Sequence, residues 1–153
     1  MMFRCTIPGD PRGKGSVRVT RWGAHKDEKT EVYMGVAIMV CRAAMAGRPA
    51  IDVPVVVTIR AFVRRPESLI PKTGPRVRTA QPPGGSFPAP VKPDADNIAK
   101  IVLDSVVQAG VLRDDTLATT ITVVKRYVPI GESPRVDVEI EPEPDAWARS
   151  SGS

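Results

Sequence analysis

The sequence contains a single histidine, His25, and two cysteines, Cys5 and Cys41. That scarcity excludes a His/Cys zinc cluster, which needs three or four such ligands. A Ser-His-Asp or Cys-His apparatus would rest on His25 alone, in the polar stretch between Gly23 and Lys26. Two cysteines make no framework of bridges, and free Cys is among the more buried residue types, so both are expected to pack as thiols. Long apolar runs are missing too. The stretches Val53–Ile59 and Ile98–Val107 are too short or too interrupted to span a bilayer. Pro8 and Gly9 arrive before a signal-peptide core can form, so secretion is not expected and the cytoplasm is. Any hard chemistry falls to carboxylates, Lys and Arg.

What is present fits one domain. The chain has 153 residues, 42% of them hydrophobic, enough to bury a core without disulfides or a structural metal. The net charge of +5 conceals an asymmetry. Residues 1–80 carry 15 Lys/Arg against 6 Asp/Glu, and residues 81–153 carry 7 against 11. A basic half beside an acidic half suits a nuclease, with cations for phosphates and carboxylates for a metal. On charge alone it equally suits a basic solvated surface.

Phe3–Ile7 reads as a first strand stopped by Pro8-Gly9, and Val17–Thr20 as a short strand after a Gly- and Arg/Lys-rich loop. Over Lys26–Ala46 the apolar residues Val32, Val36, Met39, Val40 and Ala43 recur at helical steps, with Gly47 beyond, which predicts a helix. Asp52–Val63 is rich in β-branched residues and reads as a central strand. From Arg64 to Val91 the pattern dissolves into Pro, Gly, Ser and basic residues, a flexible basic loop. Asn97–Ala109 predicts a largely buried helix closed by Gly110. Thr119–Val128 and Arg135–Ile140 alternate as strands and read as a hairpin around Pro129–Pro134. The domain is thus expected to span 1–141, with residues 142–153 a frayed acidic tail.

The chemistry concentrates in one stretch. Asp94 and Asp96 share a side only if the backbone between them is extended, which Pro93 favours. A helix starting near Asn97 would then set its positive end beside them. Asp96, Lys100, Asp104 and Gln108 follow at steps of four and share a face, with Asp104 expected to pair with Lys100. Asp114-Asp115 lies in a return after Gly110, and taken alone such a pair is a surface turn. Asp-x-Asp by itself also occurs in helix caps, calcium loops and metal-dependent sugar transferases.

The ordered set is more specific than its parts. Lys92-Pro93-Asp94-Ala95-Asp96-Asn97, Lys100, Asp104 and then Gly110-Val111-Leu112-Arg113-Asp114-Asp115 resembles the RusA family of Holliday junction resolvases. Gly9-Asp10-Pro11-Arg12-Gly13-Lys14 with Val17-Arg18 resembles that family's N-terminal basic segment, and Val123-Val124-Lys125 its strand after the second acidic motif. The likeness covers roughly residues 3–141 and departs from the family pattern at Gly15-Ser16.

The resemblance implies a small α/β (α+β) domain, a mixed β-sheet with two main helices packed on it. It also implies a homodimer that introduces paired nicks in four-way DNA junctions using magnesium, with manganese able to substitute. By position, Asp94, Asp96 and Asp115 match the metal-binding acids, Lys100 the essential lysine, and Asp114 a further candidate ligand. Lys14, Arg18, Arg64, Arg65, Lys72, Arg76, Arg78, Lys92 and Lys125 are the expected DNA contacts.

Physical chemistry agrees with that assignment. Magnesium takes hard oxygen ligands and keeps several waters, so a few aspartates with open positions are the protein's share. A two-fold junction cut twice is matched by a two-fold dimer. The rival readings are a metal-dependent Asp-x-Asp transferase and a non-catalytic basic DNA-binding module. No glycine-rich phosphate loop supports the first, and clustered acids oppose the second.

Overall fold

The computed structural model describes residues 2–14, 28–72 and 80–144 in full, and 18–20 and 23–25 as backbone. Among the described residues, seven strands and two α-helices follow one another as β1 (Phe3–Pro8), β2 (Arg18–Thr20), β3 (Gly23–His25), α1 (Glu28–Met45), β4 (Val55–Val63), β5 (Phe87–Pro88), α2 (Ala95–Gln108), β6 (Ala118–Tyr127) and β7 (Arg135–Pro142). Five of the strands form one mixed sheet in the order β1-β7-β4-β6-β5, while β2 and β3 pair separately. This is the α+β architecture expected, with both helices on the sheet.

The sheet has one dry and one wet face because its strands alternate. Val55, Val57, Ile59 and Ala61 of β4, Val136, Val138 and Ile140 of β7, and Phe3 and Ile7 of β1 are buried together. Tyr33, Ala37, Cys41 and Met45 of α1 and Ile98, Ile101, Val102 and Val106 of α2 complete this core. Burying each large aliphatic side chain contributes about 1.5–3 kcal/mol. The other face is charged. Arg4 and Arg60 both reach Glu139, at 3.6 and 3.3 Å. Thr6 donates to Asp137 at 2.9 Å, and Arg135 lies over the Phe62 ring at 4.3 Å. Cys5 and Cys41 are free, as expected, with their sulfurs 3.3 Å apart between β1 and α1. That hydrogen bond and burial push the Cys5 thiol well above the ordinary thiol range.

Three expectations need correction. β6 and β7 exist but do not form a hairpin: β4 lies between them, parallel to β6 and antiparallel to β7. A strand of Val, Thr, Ile, Ala and Phe buries more when paired on both edges, and residues 129–134 are long enough to pass over its end. The buried face of α1 is also turned from the one the spacing selects. Val32 is 69% and Met39 63% exposed, while Tyr33, Ala37, Cys41 and Met45 point inward. This helix is apolar nearly all round, so periodicity alone does not set its phase. Finally, β7 runs to Pro142, and the Glu143 amide donates to Pro54 O at 2.9 Å, so no frayed tail starts at 142. Residues 145–153 lie outside the described residues.

The segment after β4 is built around Arg65, which sequence places among the DNA contacts. Its side chain is instead buried, with the residue 6% exposed. The guanidinium donates to the carbonyls of Val128 at 2.7 Å, Leu69 at 3.1 Å, Pro83 at 2.7 Å, Gly84 at 3.0 Å and Gly85 at 2.7 Å. It also lies over Phe87, whose ring packs 5.0 Å from Tyr127. A segment rich in Pro and Gly has carbonyls that no ladder satisfies, and a planar five-donor fork collects them. Arg65 thereby ties residues 83–85, just ahead of β5, to the end of β6. We expect Arg65→Met to lower the unfolding free energy by about 3 kcal/mol or more, because several carbonyls lose a charged donor at once. Arg65→Lys should recover only part of that, since an ammonium lacks the fork; urea denaturation of the three proteins measures both effects.

Candidate active site

β5 delivers the chain to the acidic motif. Beyond it the Ala89 amide donates to Lys125 O at 3.2 Å, and Lys125 Nζ donates back to Val91 O at 2.5 Å. A cis peptide then joins Lys92 to Pro93. Asp94 follows with extended dihedrals, φ −67° and ψ 149°, and caps α2 with its main chain, Ile98 N–H donating to Asp94 O at 3.1 Å. Its carboxylate makes no capping bond. It sits 3.0 Å from Lys92 Nζ instead. The extended geometry expected across Asp94-x-Asp96 therefore holds only at Asp94. The helix starts at Ala95, two residues earlier than spacing suggests, and Asp96 belongs to its first turn. Both acids are exposed beside amides that carry the positive end of the helix dipole.

The polar line along α2 faces outward. Asp96, Lys100 and Gln108 are exposed and Asp104 half-buried, whereas Ile98, Ile101, Val102, Ser105 and Val106 are buried. Asp104 does not take Lys100 as its partner. It pairs with Lys14, brought in from the glycine-rich segment after β1. Two causes favour that outcome. The Lys14 amide is already anchored to Asn97 O at 3.0 Å, and a cation N-terminal to its acid is the weaker order for a pair four residues apart. Lys100 is left with no ion pair among the described residues.

The second acidic pair divides its roles. Asp114 precedes a 3₁₀ turn at Asp115–Leu117, and its carboxylate accepts the Thr116 amide at 2.9 Å. That backbone bond, then the Thr116 side chain and Asp115, hold the Asp114 carboxyl below the usual carboxylate range. Asp115 is exposed, with no salt bridge among the described residues. The loop is fixed to the start of β4 through Ile51 N–H to Val111 O at 2.8 Å, Arg113 N–H to Ile51 O at 3.0 Å and the Arg113–Asp52 ion pair at 2.7 Å. The 3₁₀ turn itself packs against α2. Asp94, Asp96 and Asp115 thus belong to one helix and a turn lying on it. Among the described residues no three acids close into a metal cage. Exposed aspartates of this kind suit a hydrated magnesium ion, which takes one or two carboxylates and fills its other positions with water and phosphate.

The expected DNA cations separate. Lys92 and Arg64 are exposed, at 85% and 73%, and pair with Asp94 and Asp10. Lys72 is exposed. Lys14 and Lys125 are engaged with Asp104 and Val91 O, and Arg65 is interior. Arg76, Arg78 and the Arg18 side chain lie outside the described residues. A cleft of about 490 Å³ between Asp10, Arg12, Glu28, Lys29 and Tyr33 shares none of the acidic motif's residues. Sequence reasoning quotes Gly13 within the basic segment but gives it no role of its own, and in the fold it seats against Pro93 and Asn97. Its only signal is a glycine between Arg12 and Lys14 where nothing else demands one.

Comparison with known proteins gives one result. A protein-family model described as endodeoxyribonuclease RusA matches residues 8–141, including both acidic motifs and the Gly9–Lys14 segment. A search of curated proteins returned no match. No helix among the described residues is long and apolar enough to cross a membrane.

The Asp114 turn carries its own expectation. Asp114→Asn keeps an oxygen for the Thr116 amide, whereas Asp114→Ala should speed hydrogen exchange at Thr116 and Leu117 several-fold. A carboxyl depressed by folding stabilises the turn above the ordinary carboxylate range and loses that effect as pH falls through the depressed value. Thr116 protection in the unsubstituted protein should follow that sign when exchange is measured across acid pH.

Proposed function

The chain belongs to the RusA endodeoxyribonuclease family, and from that premise we propose that it resolves four-way DNA junctions by paired, magnesium-dependent nicks, with manganese able to replace magnesium. The observation that carries the assignment of residues is the start of α2. Asp94 and Asp96 stand exposed at a helix N-terminus, the Asp94 carboxylate making no capping bond, and Lys100 lies one turn on without an ion pair among the described residues. Asp94, Asp96 and Asp115 are the acids that would hold the ion, through one or two carboxylates and its retained waters. When bound, magnesium supplies Lewis-acid polarisation of the scissile phosphate and an activated water.

The remaining roles fall to the chain's own residues. Lys100 places a compact positive charge against the phosphate as negative charge builds on it. The amides at the start of α2 add the field of the helix dipole on the same side. Lys92 neutralises Asp94 in the free protein and is released when a cation takes its place. Arg64 and Lys72, with Arg76 and Arg78 further along the sequence, bind the phosphates of the arms, an attraction that weakens as salt rises. Two matched cuts follow from a homodimer whose two-fold axis coincides with that of the junction.

The test incubates purified protein with a synthetic four-way junction and with a linear duplex, in magnesium or in EDTA. The junction should be nicked at paired positions only with magnesium. Asp96→Asn and Asp115→Asn should each reduce cleavage by at least about 100-fold, and Lys100→Met should do so while junction binding in EDTA is kept. A junction left intact in magnesium, or an Asn variant that cuts as fast as the unsubstituted protein, overturns the reading.

A further inference from the structure

Lys14 reads from sequence as a DNA contact, yet in the fold Gly13 and Lys14 lie against α2 and its lead-in, while Gly9 and Asp10 ahead of them meet Pro134 and Arg64. A Cβ built on Gly13 would lie 2.7 Å from Asn97 Cβ and 3.0 Å from Pro93 Cβ. Neither neighbour yields easily, one being a pyrrolidine ring carbon and the other the first side-chain atom of a helical residue. The glycine is there for room, so that one backbone can lie directly on another. Lys14 follows with its amide bonded to Asn97 O at 3.0 Å and its ammonium on Asp104. Pro11, three residues earlier, is buried and anchors the approach. The strap thus touches Pro93, Asn97 and Asp104, spanning the helix from just before Asp94 to beyond Lys100.

We infer that Gly13 and Lys14 are positioning residues for the cutting centre. They fix the first turn of α2, and with it Asp94 and Asp96, while Lys14 holds Asp104 away from Lys100. What is positioned rests on the nuclease reading above; the strap itself does not. Asp104 lies four residues after Lys100 on the same face, so Lys100 is the cation nearest to it on its own helix once Lys14 is gone. An exposed ion pair adds little to stability. Its consequence here is a lysine kept available for phosphate. A displacement of the acids by about 1 Å is enough to slow a reaction that depends on alignment.

Two sets of variants test this. Gly13→Ala should accelerate hydrogen exchange at the Lys14 and Ile98 amides about tenfold, with global stability little changed. The magnesium concentration for half-maximal cleavage and the Mn²⁺ concentration for half-saturation without DNA should both rise about fivefold, and junction binding in EDTA should stay the same. Wild-type exchange in Gly13→Ala, or junction binding in EDTA that falls in step with cleavage, overturns the inference. Should Gly13→Ala fold poorly, Lys14→Met decides: cleavage falls about threefold, and adding Asp104→Asn restores it, because the competitor for Lys100 has been neutralised. A Lys14→Met defect that Asp104→Asn leaves unrepaired makes Lys14 a phosphate contact and sinks the proposal. Failure of the nuclease reading shows differently, as an Asp96→Asn or Lys100→Met protein that cuts normally while the exchange result at Lys14 stands.

Discussion

Parallel pairing of β4 with β6 is the constraint from which the rest of the molecule follows. Two parallel neighbours cannot be joined by a turn, so the chain leaving Val63 must return along the sheet before Ala118. The return is made by the segment held on Arg65, then β5, then α2. Because β5 pairs with Tyr127 and Arg126, the chain is led back beside β6 before the helix starts. Sheet topology therefore brings Asp94 and Asp96 to the end of β5, and the strap at Gly13 and Lys14 seats the helix that carries them. Covering the dry face with α2 gives the crossover its stability, and its outward stripe gives it chemistry.

Exposed carboxylates at one place repel each other, and the fold answers with cations from several elements. Lys92 meets Asp94 from the preceding turn, Lys14 meets Asp104 from the strap, and Arg113 meets Asp52 beside the second acidic turn. Each such pair is partly solvated and contributes little to stability singly. Their joint effect is selective: Asp96, Lys100 and Asp115 are left without ion pairs among the described residues. An acid already committed to a lysine must exchange partners to bind a metal, whereas an uncommitted one need not.

Features decided by neighbours in sequence are legible in the order of residues alone. The Asp94–Asp96 corner, the polar stripe of α2, the glycine stop at Gly110 with φ +77° and the strict alternation of β7 all follow from local patterns. Features decided by distant partners are not. Nothing local in β6 and β7 reveals that β4 separates them. The phase of α1 depends on which of its many apolar residues meets β1 and α2. Asp104 has an obvious partner four residues away and takes another ninety residues distant because Gly13 lets that segment lie close.

The basic half of the chain illustrates the same limit on electrostatic reading. A count of positive charges becomes a binding footprint only when those charges face solvent and lack internal partners. Arg65 satisfies five carbonyls inside the protein, Lys125 holds the segment between β5 and the motif, and Lys14 steadies α2. Arg, with its planar donors, and Lys, with its long stem, organise Pro- and Gly-rich segments that lack ladders of their own. Composition therefore overstates how much of the surface is offered to DNA, and the same cations that look like an affinity for phosphate are in part what holds the acids in place.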